Sequence, residues 1–325
     1  MPMCTAATYH TKDHYFGRNL DLEYSYQETV TITPRNFPFY FHDLAPVHNH
    51  YALIGMAMVA DEYPLYYDAT NEHGLSMAAL SFPHSARYMT PIPGKENIAP
   101  FELIPWILGS CKTTAEAEEK LQNANITDIS FSHEYPNTPL HWIIADANNA
   151  ITVEPMDTGI KLYANPLGIL TNEPPFPYHM THLQNYLHIT SEEPTNRFAP
   201  SLPLNAYSKG LGGMGIPGDL SSSSRFVKAA FTKINSVSKD AESASISQLF
   251  HILGSVAQQQ GCVKVGNLYE KTVYSSCCNT TKGIYYYTTY ENNQITGVRM
   301  HGTDLDAKTL TLFPLVQGQQ IRMAN

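Results

Sequence analysis

The first 80 residues alternate between short apolar runs and polar turns, a pattern typical of β-strands. The runs are rich in β-branched and aromatic residues, which favour extended backbone. Residues 52–59 are continuously apolar and predict a strand covered on both faces. Residues 71–74 (NEHG) form a turn sequence between two such runs. The predicted strands are 5–9, 15–19, 28–33, 52–59, 66–68 and 75–82.

Helical patterns follow a Pro-rich segment at 91–94. Residues 101–108 are apolar and predict a helix that contains Pro105. Residues 113–116 (TTAE) have the spacing of a capping box and open a helix that ends near Asn123. Further along, the pattern predicts strands at 141–144 and 151–154, helices at 224–234 and 246–256, and strands at 272–276, 283–290 and 295–300.

The order of these elements is strands, helices, strands, helices, strands. Strict βαβ alternation is absent, which disfavours a doubly wound parallel sheet. Two mostly antiparallel sheets with helices packed outside them, an α+β fold, fit the order better. Residues 173–220 are rich in Pro, Ser, Asn and Gly and predict a long irregular excursion from the core, of a kind that often makes subunit contacts. No break in composition divides the chain into two domains.

Composition narrows the functional class. The chain has 325 residues, of which 43% are hydrophobic, enough for a large core. Its net charge is −9 and no Lys/Arg run is present, which argues against a nucleic-acid partner. No 18-residue apolar stretch predicts a membrane span, and polar residues at 10–14 interrupt any secretory pattern. An odd count of five cysteines argues against a disulfide framework, so we predict a cytoplasmic protein.

Cys4 is the most informative residue for chemistry. A cysteine at the start of a mature chain carries its own base, because its α-amine can take the proton of its thiol. The α-amine titrates near pH ~8 and the thiol near ~8.5, so both are within reach of neutral pH. An internal peptide nitrogen is not a base. The hypothesis therefore requires that residues 1–3 are absent, either because Met3 is the true start or because a tripeptide is removed autocatalytically.

Arg18 and Asp21 end the next predicted strand. An antiparallel hairpin would bring that strand back beside Cys4. There, a guanidinium would favour the thiolate and a carboxylate would orient the α-amine. The alternative interpretation is an ordinary surface ion pair.

Two later segments offer further polar groups. Asn172 lies in the segment 170–174 (LTNEP) and can present an amide N–H to a developing oxyanion, although it is also a common turn former. Residues 217–225 (PGDLSSSSR) allow close backbone approach, and Arg225 at their end can fix the charge of a site. Taken alone, that segment is a loop that leads into a helix.

In order and spacing, these segments resemble the choloylglycine hydrolase family of N-terminal-nucleophile (Ntn) amidohydrolases, which contains bile salt hydrolases and penicillin V acylases. The likeness runs essentially end to end and is greatest to the bile salt hydrolases of Gram-positive gut bacteria. The matching segments are 3–6 (MCTA), 16–21 (FGRNLD), 31–36 (TITPRN), 71–75 (NEHGL), 139–142 (PLHW), 170–172 (LTN), 215–225, 274–279 (YSSCCN) and 285–290.

The resemblance implies a four-layer αββα sandwich in one domain over 4–325, and a homotetramer built partly through residues 173–200. It implies hydrolysis of glycine- or taurine-conjugated bile salts without metal or cofactor. The implied catalytic residues are Cys4, Arg18, Asp21, Asn172 and Arg225. Candidates for an apolar substrate pocket, each of which could instead pack in the core, are Leu20, Tyr24, Tyr26, Met58, Tyr63, Leu65, Phe131 and Tyr135.

Ser81 departs from the family pattern. Bile salt hydrolases usually carry Asn here as a second oxyanion-hole contributor, and penicillin acylases often carry Tyr. Ser81 keeps the backbone N–H but has a shorter hydroxyl donor, and losing one such donor can cost about 3 kcal/mol of transition-state stabilisation. A penicillin V acylase or a broader N-acyl amidohydrolase therefore stays open as an alternative, as does a catalytically inactive binding relative.

Two other patterns match motifs for different chemistry, a metal site and a dinucleotide site, but each lacks a necessary part. His48 with His50, and His179 with His182, have metal-like spacing and would suit a metal-dependent hydrolase, but no Cys or carboxylate completes either set. Residues 213–218 satisfy G-x-G-x-x-G, yet no strand precedes them and Pro217 stands where a helix should open, so a dinucleotide site is not expected.

Overall fold

The computed structural model describes residues 3–325, which form an α+β fold. The strands are β1 (Met3–His10), β2 (His14–Leu22), β3 (Thr29–Thr33), β4 (Leu53–Ala60), β5 (Tyr63–Asn71), β6 (Ser76–Ser81), β7 (Glu96–Ile98), β8 (Ala124–Ile126), β9 (Leu140–Ala145), β10 (Ala150–Met156), β11 (Gly159–Ala164), β12 (Ile169–Leu170), β13 (Val263–Val265), β14 (Leu268–Asn279), β15 (Ile284–Thr289), β16 (Asn292–Arg299) and β17 (Thr311–Pro314). The α-helices are α1 (Leu103–Leu108), α2 (Thr114–Gln122), α3 (Phe176–His182), α4 (Ser222–Asn235) and α5 (Glu242–Gly254).

Two large sheets contain most of these strands. The first sheet has the order β12-β1-β2-β14-β15-β16, and β13 pairs with β14. The second has the order β11-β10-β9-β6-β5-β4-β3-β17. Neighbouring strands are antiparallel in both sheets, and the short β7–β8 pair is parallel. The predicted pair of mostly antiparallel sheets is therefore confirmed.

The layering follows from the alternation of side chains along each strand. On β6, Ala78 is buried in one cluster with Phe16 and Leu20 of the first sheet. Its neighbour Met77 belongs to a second cluster, which includes Leu103 of α1. Helices α4 and α5 pack on β1 and β14 of the first sheet. The order helix, sheet, sheet, helix makes the four-layer sandwich that the resemblance implied.

The β1–β2 hairpin brings the predicted residues together. In its register Cys4 lies opposite Leu20, Ala6 opposite Arg18 and Met3 opposite Asp21. On its other side β2 pairs with β14, and this approach is close at Gly17. A Cβ atom there would lie 2.1 Å from the carbonyl oxygen of Ser276, so only glycine fits.

The predicted strands and helices are present, with ends that differ by a few residues. The predicted irregular segment 173–220 also contains a helix that was not expected, because α3 lies within it and buries Phe176 and His179. The capping box is half formed. Thr113 accepts the N–H of Glu116 at 3.2 Å, but the Glu116 carboxylate accepts the N–H of Lys112 instead of returning to Thr113. None of the helices in residues 3–325 is long and apolar enough to cross a membrane.

Candidate active site

The thiol of Cys4 lies inside the protein, between the two sheets. The residue is 2% exposed, and its Sγ atom accepts a hydrogen bond from Nη2 of Arg18 at 2.7 Å. Burial raises the pKa of the Cys4 thiol, and the positive charge of Arg18 is the largest influence in the opposite direction. The sulfur is therefore in contact with the one type of side chain that keeps its charge at any ordinary pH.

Arg18 joins the two sheets at this point. Its Nη1 atom donates to the carbonyl oxygens of Tyr67 at 2.9 Å and Ala79 at 2.6 Å, both on the second sheet. The guanidinium is completely buried, and no carboxylate in residues 3–325 lies within 4.0 Å of it. The alternative interpretation of Arg18 and Asp21 as a surface ion pair is wrong, since both are buried and they are not paired.

The backbone of Cys4 contacts a different set of residues. Its N–H donates to Oδ1 of Asn172 at 2.9 Å, and Nη2 of Arg225 donates to the same oxygen at 2.6 Å. Nη1 of Arg225 donates to the Cys4 carbonyl at 2.5 Å and to Oγ1 of Thr5 at 2.6 Å. The segment is a loop that leads into a helix, as predicted, because α4 begins at Ser222; Arg225 lies in this helix and its guanidinium is buried against the start of β1.

Asn172 also reaches the second predicted oxyanion contributor. Its Nδ2 atom donates to the carbonyl oxygen of Ser81 at 2.9 Å. Ser81 ends β6 and is 4% exposed. The Asn172 amide thus lies between the nitrogen of Cys4 and the backbone of Ser81.

Residues for which the sequence predicted no such role hold Asn172 in place. The Oγ of Ser222 accepts the Asn172 N–H at 2.9 Å, and Nε2 of His179 donates to the Asn172 carbonyl at 3.0 Å. His141 contacts the preceding carbonyl, that of Thr171, at 3.0 Å. Burial lowers the pKa of His179 to about 4, so its ring is neutral at pH 7. The motif LTN contains no signal for these contacts, which come from α3, α4 and β9.

Two carboxylates lie near the backbone of Cys4. Oδ1 of Asp21 accepts the hydroxyl of Thr272 at 2.6 Å, while Glu270 accepts the N–H of Met3. Burial raises the pKa of Asp21 to about 6 and that of Glu270 to about 7. The expected contact between Asp21 and an amine is not formed in this chain, in which the nitrogen of Cys4 is a peptide nitrogen. The predicted removal of residues 1–3 also concerns Met1 and Pro2, which lie outside the described residues.

A cavity of about 350 Å³ opens next to Cys4 and Arg18. Its wall is mainly apolar, with a polar segment formed by Glu134, Asn137 and Thr138. Six of the eight predicted pocket residues line it: Leu20, Tyr26, Met58, Leu65, Phe131 and Tyr135.

Tyr24 and Tyr63, the other two predicted pocket residues, do not line this cavity. Tyr24 lies in the loop after β2, is 51% exposed and contacts the hydroxyl of Tyr26 at 3.0 Å. The ring of Tyr63 packs behind the cavity wall, against Phe101 and Phe131.

Within the two histidine pairs, His50 and His179 contact backbone carbonyl oxygens. The two ring nitrogens of His50 contact the carbonyl oxygens of Tyr51 at 2.7 Å and Phe37 at 2.9 Å. His179 contacts Asn172, and the ring of His182 stacks on Tyr178. Residues 3–325 contain no group of three or more His, Cys, Asp or Glu side chains placed to hold a metal ion.

Comparison with known proteins agrees with the fold. The family model described as linear amide C–N hydrolases, choloylglycine hydrolase family, matches residues 4–313. A bile salt hydrolase/transferase of Lactiplantibacillus plantarum is 48% identical over 99% of this chain and 100% of its own length. The crystal structure of a variant of conjugated bile acid hydrolase from Clostridium perfringens has a TM-score of 0.92 at 35% identity, covering 99% of this chain and 100% of that one.

A more distant structure shows how widely the fold is shared. Penicillin V acylase from Agrobacterium tumefaciens has a TM-score of 0.76 at 17% identity, over 97% of this chain and 92% of that one. The class is thus that of hydrolases acting on linear amide C–N bonds. The chain belongs to the choloylglycine hydrolase family.

Proposed function

We propose that this protein is a cysteine Ntn amidohydrolase that cleaves glycine- or taurine-conjugated bile salts into free bile acid and amino acid. The observation that carries the proposal is the contact of 2.7 Å between the Cys4 sulfur and Arg18, beside a mainly apolar cavity. The bile salt names of relatives at 48% and 37% identity support this substrate class.

The reaction begins once Cys4 is the first residue. Its α-amine takes the proton of the thiol, and Arg18 stabilises the thiolate that forms. The sulfur attacks the amide carbonyl of the substrate, and the C=O bond opens to an oxyanion. When the C–N bond breaks, the α-ammonium returns its proton to the leaving nitrogen, so glycine or taurine departs as the neutral amine form and a thioester remains.

Hydrolysis of the thioester completes the cycle. The α-amine takes a proton from water, whose oxygen attacks the thioester carbonyl, and the C–S bond breaks to release the bile acid. In both halves the oxyanion needs fixed donors, for which the amide of Asn172 and the backbone near Ser81 are the candidates. Arg225 holds Asn172 and the Cys4 carbonyl in place, and Asp21 orients the amine.

The cavity suits an amphipathic acyl group. A sterol body is large and apolar and would lie against the aliphatic and aromatic wall, with Met58, Leu65 and Phe131 as the apolar contacts. The hydroxyl groups of such a substrate would meet the polar segment at Glu134, Asn137 and Thr138.

Penicillin V acylase activity is the second candidate, and Ser81 is the observation that favours it. Turnover of glycocholate, taurocholate and penicillin V, measured side by side on one preparation, tests the choice. We expect hydrolysis of both bile salts. Cleavage of penicillin V alone would refute the assignment.

The mature N-terminus tests the mechanism. Intact-mass measurement of active protein should show Cys4 as the first residue, whether Met3 is the start or a tripeptide is removed. A Cys4→Ser variant should lose at least about 10³-fold in kcat, because it lacks the thiolate. Full activity in protein that retains Met3 would contradict the mechanism, and an inactive wild type would favour the binding relative.

We further propose a homotetramer built partly through residues 173–200. Leu187 is 87% exposed and Phe198 is 94% exposed, which favours burial by another copy. Light scattering measures the mass directly, and a monomeric mass would contradict this. The cytoplasmic location stays a prediction.

A further inference from the structure

Two buried carboxylates near the Cys4 backbone each have an oxygen without a hydrogen-bond partner in residues 3–325. These atoms are Oδ2 of Asp21 and Oε2 of Glu270. Buried polar atoms in proteins are rarely unpaired, so each such atom needs an explanation. The mechanism above uses Asp21 but gives Glu270 no role.

Glu270 contacts the residue that the mechanism requires to be absent. Its Oε1 atom accepts the N–H of Met3, and the side chain is fully buried. Adjacent residues of a strand are about 3.3 Å apart, so the Cys4 nitrogen lies one step along β1 from the nitrogen that Glu270 holds. Loss of Met3 removes a donor from Glu270 and creates an α-ammonium one residue away.

The charges of this region favour the same conclusion. In the chain that carries Met3, the charged groups near the Cys4 backbone are Asp21 on β2, Glu270 on β14 and Arg225 on α4. Two carboxylates and one guanidinium leave a net charge of −1 when all are ionised. Arg18 also acts on Asp21, but its guanidinium contacts the sulfur, where it balances the thiolate, so it is not counted in this group. A newly formed α-ammonium would make the group neutral.

We propose that Glu270 is a positioning residue that, together with Asp21, receives the α-ammonium of Cys4 after Met3 has been removed. In the chain with Met3, the same carboxylate holds the Met3 backbone. Glu270 exchanges no proton in this proposal. Its ionised form stabilises the ammonium while the proton moves between the thiol, the amine and the leaving group. This inference rests on the proposed function, because it requires an N-terminal Cys4.

The decisive variant is Glu270→Gln, which keeps the shape of the side chain and removes its charge. Removing an anion makes the protonated amine harder to form, so the acid-side midpoint of kcat/KM for glycocholate should move to lower pH by about one unit or more. Glu291→Gln is the matched control, because Glu291 is an exposed carboxylate paired with Lys271. Its midpoint should equal that of the wild type.

Glu270→Asp provides a second, milder variant. It retracts the carboxylate by one methylene, so a smaller shift in the same direction is expected. It decides the question if Glu270→Gln does not fold. If folded Glu270→Gln protein has the same acid-side midpoint of kcat/KM as the wild type, the proposal is overturned. If Glu270→Gln does not fold, the same result for Glu270→Asp overturns it.

Intact-mass measurement separates this proposal from the one on which it rests. In wild type and variants alike the first residue should be Cys4. Wild-type protein that is active with Met3 in place overturns both proposals. A mature, active wild type beside a Glu270→Gln variant of unchanged pH profile overturns the role of Glu270 alone.

Discussion

The two sides of Cys4 differ in what they hold. On the sulfur side, Arg18 donates to Sγ and to two carbonyl oxygens of the second sheet. On the backbone side, Arg225 donates to the carbonyl of Cys4 and to Asn172. Both arginines are buried within the sandwich, yet only Arg18 contacts the nucleophilic atom.

The two arginines therefore influence different properties of the site: Arg18 the reactivity of the thiol, and Arg225 the positions of the groups around it. A cation in contact with the sulfur changes the free energy of the thiolate directly. A cation bonded to the backbone mainly fixes where the nitrogen and the Asn172 amide lie. We therefore expect variants on the sulfur side to change the pKa of the Cys4 thiol. Variants on the backbone side should lower kcat and leave the pKa of the thiol close to that of the wild type.

The largest effect is expected for Arg18→Gln. Without the guanidinium, the buried thiol loses the largest influence that opposes burial, so its pKa rises further. Loss of a charged partner typically shifts a pKa by about 1–3 units, and kcat/KM should fall about 10²- to 10³-fold. The pH dependence of Cys4 alkylation by iodoacetamide measures the shift. Arg322→Gln is the control, since Arg322 is exposed and lies outside residues 173–200, and an unchanged alkylation profile in Arg18→Gln would contradict the comparison.

Asp21→Asn tests how much the burial of an ionised carboxylate near Cys4 lowers the stability of the protein. Burial raises the pKa of Asp21 to about 6 from an ordinary value of 3.8, so the folded state resists ionisation. The unfolded chain loses this proton near pH 4, and the penalty grows between pH 4 and 6 and is complete above 6. A shift of about two units corresponds to roughly 3 kcal/mol.

The measurement uses denaturant unfolding of Cys4→Ala protein whose mass includes Met3. Asp21→Asn in that background should raise the free energy of unfolding at pH 7 by up to about 3 kcal/mol and leave it unchanged near pH 3. An equal gain at both pH values would mean that the effect comes from packing rather than ionisation.

Arg225→Lys tests the backbone side. Lysine keeps the charge but cannot donate to Cys4 and Asn172 in the same fork. We expect kcat to fall about 10- to 30-fold, with the alkylation midpoint of Cys4 close to that of the wild type. A midpoint shift as large as that of Arg18→Gln would mean that the two arginines are not distinct.

Ser81→Asn should have the smallest effect, a rise of up to about 10-fold in kcat/KM for glycocholate. The added amide would give the oxyanion a second side-chain donor next to Asn172. Ser81→Ala is the matched control and should resemble the wild type if the backbone N–H makes the main contribution. A loss of activity in Ser81→Asn would show that this position has no room for the larger side chain.

The regular elements were the easier part to predict. Strands such as β1, β2 and β4 carry their own apolar and β-branched pattern, and the paired sheets followed from their order. The two-residue strand β12 and the helix α3 were missed, since each is short and is held by contacts made elsewhere in the sandwich. The excursion around α3 has the composition of a loop.

The same division applies to the site. Arg18 could be placed beside Cys4 because a hairpin joins residues close in sequence, and its register confirms the placement. Asn172 and Arg225 were recognised from motifs, but not their contacts. Glu270 lies in a segment without a distinctive pattern, and His179 was noticed only for its spacing to His182, which gave no indication of its contact with Asn172.

The sequence by itself determined the family, the strand content and the identity of the candidate nucleophile, because local patterns and the order of motifs can be recognised in the linear sequence. Only the tertiary structure decided which polar groups touch the sulfur and which touch the backbone of Cys4. The physical reason is that buried charges are satisfied by partners from distant strands and helices, and those pairings exist only once the sheets have packed.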